Sequence, residues 1–322
     1  MMKSFKQLLF YFLIVFGVFV FSLVCHLAVQ EVWAAPCCAR SSAAPFLILG
    51  DDELQYSFGF SANRVVAETS NERTTYFLPE ELVDQARTLR LDGATLLSDR
   101  AQVGISLSGV RRSVRAYSEE HSSFQIGDTR LSFGYEFLTN WNYSPWRPTG
   151  YLFSVVTLPT GRSNFDSVLP NFADVSGNGF YSVSMGGIFL KRWNTWDAFF
   201  MTEVHYSFPR NFENFTGKFQ VIPGLGGSLG GGLGWSPGGG SLRLGMRVQP
   251  RVDQPRLIPS RDLSGVRKSW ASSCDTGFDL SYLIGSNKTF MVSYTDQTLL
   301  GIAQNSNLNR TVGLSFQHRW ER

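Results

Sequence analysis

Between Leu54 and Trp320 the chain alternates apolar and polar residues in about a dozen short bursts separated by polar connections. Side chains of a β-strand point to opposite faces with period two, so each burst describes a strand with one greasy and one wet face. The last burst is the clearest. Leu308, Val312, Leu314, Phe316 and Trp320 share one parity, and Asn309, Thr311, Ser315, Gln317 and Arg319 share the other. Such strands suit a sheet closed on itself, with lipid against the outer face and polar atoms within. A soluble sandwich or lipocalin-like barrel would bury the apolar parity instead. Its strands average about five to six residues, and it rarely carries many long loops at one end.

The N-terminus agrees with an exported barrel. Lys3 and Lys6 precede an apolar run from Leu8 to about Val24, followed by Val32-Trp33-Ala34-Ala35. This is the layout of a secretory signal, with cleavage expected after Ala34 because Pro36 hinders a cut just before it. A retained anchor is the competing reading, since the run nears the length that spans a bilayer. The small-residue exit and the lack of a basic stop-transfer cluster favour the signal. No later segment is long and apolar enough for a membrane-spanning helix, so an integral mature protein must satisfy its backbone as a closed barrel. The expected division is a signal at 1–34, a periplasmic or plug segment at 35–52, and a barrel at 53–322.

A net charge of +3 argues against nucleic acid, which needs a concentrated basic face. The 14% aromatic content and 31 glycines fit a barrel, with rings banding the interfaces and glycines where strands bend or crowd. Of the four cysteines, Cys25 leaves with the signal. Cys37, Cys38 and Cys274 make an odd remainder that argues against a disulfide framework. Adjacent Cys37-Cys38 could bind a thiophilic metal, but no partner ligands lie nearby, and a structural role is the plainer reading. No cofactor is expected. The expected partners are outer-membrane lipid, the outer-membrane assembly machinery and a small solute.

Twelve strands are expected, within a range of ten to fourteen: 54–67, 87–97, 100–114, 126–138, 149–158, 179–192, 195–208, 216–235, 240–251, 273–284, 288–296 and 308–320. An even count lets both ends of an antiparallel barrel lie on one side. Tight turns at 98–99, 193–194, 236–239 and 285–287 should be periplasmic, together with the looser 139–148. Long loops at 68–86, 116–124, 159–178, 209–215, 252–272 and 297–307 should be external.

Two short motifs add a specific resemblance. Gly127-Asp128-Thr129-Arg130-Leu131 opens one amphipathic strand, and Leu158-Pro159-Thr160-Gly161 ends the next. The chain thereby resembles the outer-membrane family associated with the meta pathway of phenol degradation, from roughly Leu54 to Trp320. The resemblance implies a barrel assigned to transport, and it brings no binding residues to carry over.

The inner parity holds charges of both signs, among them Arg90, Asp92, Asp128, Arg130, Glu136, Asp197, Glu203, Arg243, Arg247, Arg251 and Asp279. A lumen for phenols or hydrocarbons would offer apolar and aromatic pockets, whereas this one reads as wet. Arginines and carboxylates could cross-link a narrow bore into a plug, or line a polar channel biased toward anions. Bracing is the favoured reading, because unpaired charges in so narrow a bore are costly. Arg243, Arg247 and Arg251 share the inward face of one strand, with Asp128, Glu136 and Glu203 as expected partners. The candidate lumen set is Arg130, Glu136, Glu203, Arg243, Arg247, Arg251 and Asp279.

Two other classes compete. A membrane-embedded lipid hydrolase needs a Ser or Thr nucleophile within reach of a His base. The mature chain offers only His121, His205 and His318, none in a recognisable motif, so an enzyme is not expected. A structural or adhesive surface protein would work through the loops at 68–86, 159–178 and 252–272, where Phe165, Asn171 and Phe172 could cover the mouth or touch a ligand.

Overall fold

The computed structural model describes residues 45–50, 52–117, 119–139, 144–214, 217–258 and 270–321. The expected signal, Cys37 and Cys38 lie outside the described residues. In chain order the strands are β1 (Asp52–Thr69), β2 (Thr75–Phe77), β3 (Leu82–Leu96), β4 (Ala101–Ala116), β5 (Glu119–Ile126) and β6 (Thr129–Leu138). Next come β7 (Thr149–Leu158), β8 (Ser182–Arg192), β9 (Trp196–Ser207), β10 (Arg210–Asn214), β11 (Gly217–Val221) and β12 (Leu225–Trp235). The last four are β13 (Leu242–Asp253), β14 (Ala271–Ile284), β15 (Lys288–Asp296) and β16 (Asn307–Glu321).

Twelve of these form a closed antiparallel barrel, in the order β16-β15-β14-β13-β12-β9-β8-β7-β6-β4-β3-β1, with β16 pairing back onto β1. The closing seam is long, running from Asp52↔Glu321 to Glu68↔Asn307. Closure leaves no open edge inside a bilayer, which is what lipid demands of a sheet. Because consecutive barrel strands are antiparallel, the tight turns and the outer ends of β1 and β16 share the periplasmic rim, and the described parts of the long loops share the external rim.

The outward parity is the expected one. Leu54, Tyr56, Phe58 and Phe60 on β1, Leu131, Phe133, Tyr135 and Phe137 on β6, and Leu244 and Met246 on β13 are all exposed. In water a belt of this size would aggregate; a bilayer covers it. Tryptophans mark its periplasmic edge. Trp196 and Trp235 lie 6.3 Å apart beside their turns, and Trp320 packs on Tyr56 and His318 at the seam.

Several connections hold more structure than their polarity suggests. The stretch expected as one strand over 216–235 is broken at Pro223-Gly224. Only β12 belongs to the barrel, while β10 and β11 form a separate hairpin at the external rim. Phe219 and Val221 therefore do not face lipid but are buried. The polar loop expected at 116–124 is largely β5, which extends β4 beyond the barrel wall. The later part of the loose periplasmic connection, residues 144–148, is tied down. Lys191 Nζ donates to the Ser144 and Arg147 carbonyls, and Trp193 Nε1 donates to the Pro145 carbonyl at 3.0 Å.

Residues 45–50 enter the bore. The Ile48 N–H donates to Gln102 Oε1 at 2.6 Å, and Gln102 Nε2 returns a bond to the Ile48 carbonyl at 3.0 Å. One side-chain amide thus stands in for a strand partner. Leu47 packs on the inward side chains Tyr151, Phe153, Val155, Ile188, Leu190 and Met201, while Phe46 and Ile48 pack near Ala94 and Leu96. Each of these three buried apolar side chains is worth about 1.5–3 kcal/mol against exposure to water. One wall of the bore is therefore apolar, beside the wet, mixed-sign interior read from the charged positions.

Candidate functional site

The external half of the bore holds two cavities that meet at Asp128, Arg130 and Asn178. The larger, of about 1050 Å3, opens at the external rim. Its wall combines Arg130, Arg251, Arg256 and His205 with Phe165, Phe180 and Ile258. The smaller, of about 600 Å3, is lined by Arg90, Arg130, Arg247, Asp275 and a run of serines and threonines from β1, β15 and β16, with Phe60, Leu107, Met291 and Leu314 among them.

The loop between β7 and β8 shapes both cavities, and the two sequence motifs hold it. Thr129 pairs with Leu158 in register. Thr160 Oγ1 donates to the Gly127 carbonyl at 2.7 Å and accepts the Thr129 N–H at 2.9 Å. The Asp128 carboxylate accepts the Gly161 N–H at 3.0 Å and the Asn178 N–H at 2.7 Å. Glycine is required here because a Cβ on Gly161 would lie 2.9 Å from Gly177 Cα and 3.0 Å from Asp128 N. Farther along, Asp174 is buried and accepts from Arg162 Nη1 at 2.8 Å, the Val168 N–H at 3.0 Å and Ser167 Oγ. Burial pushes its carboxyl up, but these donors outweigh burial and hold it down at about 2.

An aromatic cluster roofs the larger cavity. Phe212 lies 5.1 Å from Phe165 and 5.4 Å from Phe180, and Val221 and Phe219 complete the cluster. The β10–β11 hairpin thus folds back over the mouth instead of extending the wall. Arg256 sits over Phe165 and Phe180, 5.9 and 5.7 Å from their ring centres. Burial lowers this guanidinium from its ordinary value, with Asp253 offsetting part of the effect. An anion beside it would favour the charged form further.

The candidate lumen residues fall into separate groups. Arg243 is buried and braced: Asp197 accepts two bonds from it at 2.7 and 2.8 Å, and Asp279 a third at 2.6 Å. Neither Arg243 nor Asp279 lines either cavity. Arg247 lines the smaller one, donates to Thr295 Oγ1 at 2.9 Å, and leaves its Nε without a partner. Arg251 lines the larger one and pairs with Asp253 at 2.8 Å. His205 bridges Asp253 at 2.8 Å and Glu203 at 3.0 Å, and Ser228 donates to Glu203 at 3.2 Å. Arg130 borders both cavities. Glu136 borders neither; its N–H donates to the Arg100 carbonyl at the periplasmic turn. The expected partners Asp128, Glu136 and Glu203 are thus replaced by Asp197, Asp279 and Asp253, because Asp128 is committed to loop amides and Glu203 to His205 and Ser228.

Sequence reasoning missed Arg256, Phe180 and Ile258. Their place in the wall depends on how loops fold inward, and strand parity carries no such signal. Among the described residues, no group of three or more His, Cys, Asp or Glu side chains could hold a metal ion.

Fold and site together define a transmembrane β-barrel of the outer-membrane type, with a solute-sized chamber open to the outside. No protein-family model matches the sequence, and no curated protein matches it. Among solved structures it is similar to an outer-membrane channel from Pseudomonas putida F1, at TM-score 0.67 and 12% identity over 89% of this chain and 100% of that one. The β-domain of the Bordetella autotransporter BrkA aligns at TM-score 0.48 and 10% identity over 84% of this chain and 100% of that one. The CymD monoaromatic hydrocarbon channel aligns at TM-score 0.43 and 12% identity over 85% and 90%. At these identities the likeness concerns the fold alone.

Proposed function

We propose that this chain is an outer-membrane channel for small aromatic solutes, favouring those that carry a negative charge. The observation that carries the reading is the external cavity of about 1050 Å3, where Phe165, Phe180 and Ile258 face Arg130, Arg251 and Arg256. Apolar walls with a few convergent polar groups are what a small-molecule site needs. Ile258 and the accessible edge of Phe165 offer apolar surface to an aromatic body, and the guanidinium groups offer paired N–H donors to a carboxylate or phenolate. The motifs that resemble the phenol meta-pathway family are the ones that clasp the loop shaping this chamber, which supports placing the chain near that family. The fold neighbour from Pseudomonas putida F1 is itself described as an outer-membrane channel.

Passage onward runs past residues 45–50, whose side chains pack against one wall in the periplasmic half of the bore and narrow it there. The chain is exported by its N-terminal signal, cut after Ala34, and works without a cofactor or catalytic step. Liposome swelling tests the reading. Proteoliposomes should admit benzoate faster than a neutral sugar of similar size, and Arg256→Glu should remove that preference. Equal rates for both solutes would contradict it. No permeation by either would favour a surface-structural role for the external loops.

A further inference from the structure

The outward face changes character at one place on the external rim. On β16, β1, β3 and β4, Arg310, Arg64, Arg87 and Arg111 all have the lipid-facing parity and are exposed. Each stands just beyond the apolar belt. Arg310 follows Val312, Arg87 follows Leu89, Arg64 lies past Phe60 and Ala62, and Arg111 lies past Leu107 and Gly109.

Register brings them together. Arg64 is directly opposite Arg310, and Arg87 is directly opposite Arg111. Ala62 opposite Arg87 makes Arg64 and Arg87 diagonal neighbours. Directly opposed side chains have Cβ atoms about 4.5–5.5 Å apart and diagonal ones about 7–8 Å, and like charges so placed destabilise a sheet. Arg310 is neutralised by Asp296 at 2.9 Å. Arg64, Arg87 and Arg111 have no ion-pair or hydrogen-bond partner among the described residues. Arg115, farther out on β4, is opposed by Glu120. At the same rim beside β8, β9 and β13 the outward positions are Tyr181, Tyr206, Phe208 and Val252, all exposed and uncharged. The positive charge is thus confined to one face, at the depth where acyl chains give way to headgroups.

We infer that Arg64, Arg87 and Arg111, flanked by Arg310, form a binding site for the phosphate groups of a phosphorylated glycolipid in the outer leaflet. Guanidinium forks match phosphate oxygens two bonds at a time, and one headgroup with two phosphates spans the cluster. Val312, Leu89 and Leu107 meet its acyl chains, and Phe124, whose ring lies over Gly109, adds an exposed apolar flank. The inference rests on the transmembrane orientation of the barrel and is independent of what the bore conducts.

Native mass spectrometry of the purified full-length protein in detergent, titrated with lipid A, tests it. Lipid A should bind at one site, at least tenfold more tightly than its dephosphorylated form or phosphatidylglycerol. The triple variant Arg64→Ser/Arg87→Ser/Arg111→Ser should lose at least tenfold in affinity. The triple lysine variant should keep most of it and show that the barrel tolerates change at these positions. Channel current should be unchanged in every variant, which separates this test from the channel reading. Equal binding of the dephosphorylated lipid, equal binding of phosphatidylglycerol, or undiminished binding by the serine variant would each overturn the proposal.

Discussion

Asp128 Oδ1 accepts the Gly161 N–H at 3.0 Å, joining residues 33 apart in sequence. The same carboxylate holds the Asn178 N–H at the far end of the loop, so one side chain fixes both ends of the segment between the two cavities. Asp128→Ala leaves two amides seeking water and should loosen the segment by about 1–3 kcal/mol. Trypsin should then cut after Arg162 in the intact barrel, and channel current should become noisy. Unchanged protease resistance would show that the loop is held elsewhere.

The same loop has a defined acid limit. Asp174 is held at about 2, below its unfolded value of 3.8. A depressed folded value stabilises at pH above the unfolded value and loses that contribution as pH falls through the folded one. The protection of the Val168 amide, relative to its intrinsic exchange rate at each pH, should hold down to about pH 4 and fall steeply between about pH 4 and pH 2. Asp174→Asn should abolish that dependence.

Gln102 pins the inserted segment through paired bonds to Ile48. Gln102→Ala removes both and should raise the open probability of single channels severalfold while the barrel stays heat-modifiable. Leu47→Asp should do the same by placing a charge against Phe153 and Leu190. If neither variant alters conductance, residues 45–50 do not block the path.

Two arginines on one strand should behave differently. Removing Arg243 strands Asp197 and Asp279 in the wall, at a cost of about 3–5 kcal/mol typical of a broken buried pair. Arg243→Ala should therefore lower the unfolding temperature and leave ion selectivity alone. Arg247 lines a cavity and has an unpartnered Nε. Arg247→Glu should shift selectivity toward cations with the barrel still assembled. A thermal effect without a selectivity effect at Arg247 would make it a brace as well.

The barrel was legible because period-two alternation records which face meets lipid, and that face must be apolar along every strand. The belt residues of β1, β6 and β13, and Val312, Leu314 and Trp320 of β16, followed from parity alone, whereas Leu308 of the same parity is buried against Ala67 and Ala303 where the register shifts. The same rule, applied along the expected strand 216–235, turns Phe219 and Val221 toward lipid, whereas both are buried. They keep the parity of Leu225 and Leu229, but Pro223 supplies no ladder N–H and ends the run, and the hairpin before it turns inward. Phe46-Leu47-Ile48 has no period to read, so its place in the bore rests on Gln102, which is 54 residues distant from Ile48. Charge partners were equally hidden. Arg243 meets Asp197 and Asp279 only through strand register, 46 and 36 residues away. Phe165 was singled out from its loop and does line the chamber, but Phe180, Arg256 and Ile258 were missed because they come from loops, where side-chain direction is set by tertiary folding.

Single-channel recording in planar bilayers, with and without benzoate on the external side, reports on anion passage through the chamber. An anion-selective current is expected that millimolar benzoate interrupts in discrete blocks, with the blocks lost in Arg256→Glu and permeation prolonged in Gln102→Ala. A current indifferent to benzoate and to both substitutions, or a cation-selective current in the unaltered protein, would contradict this reading.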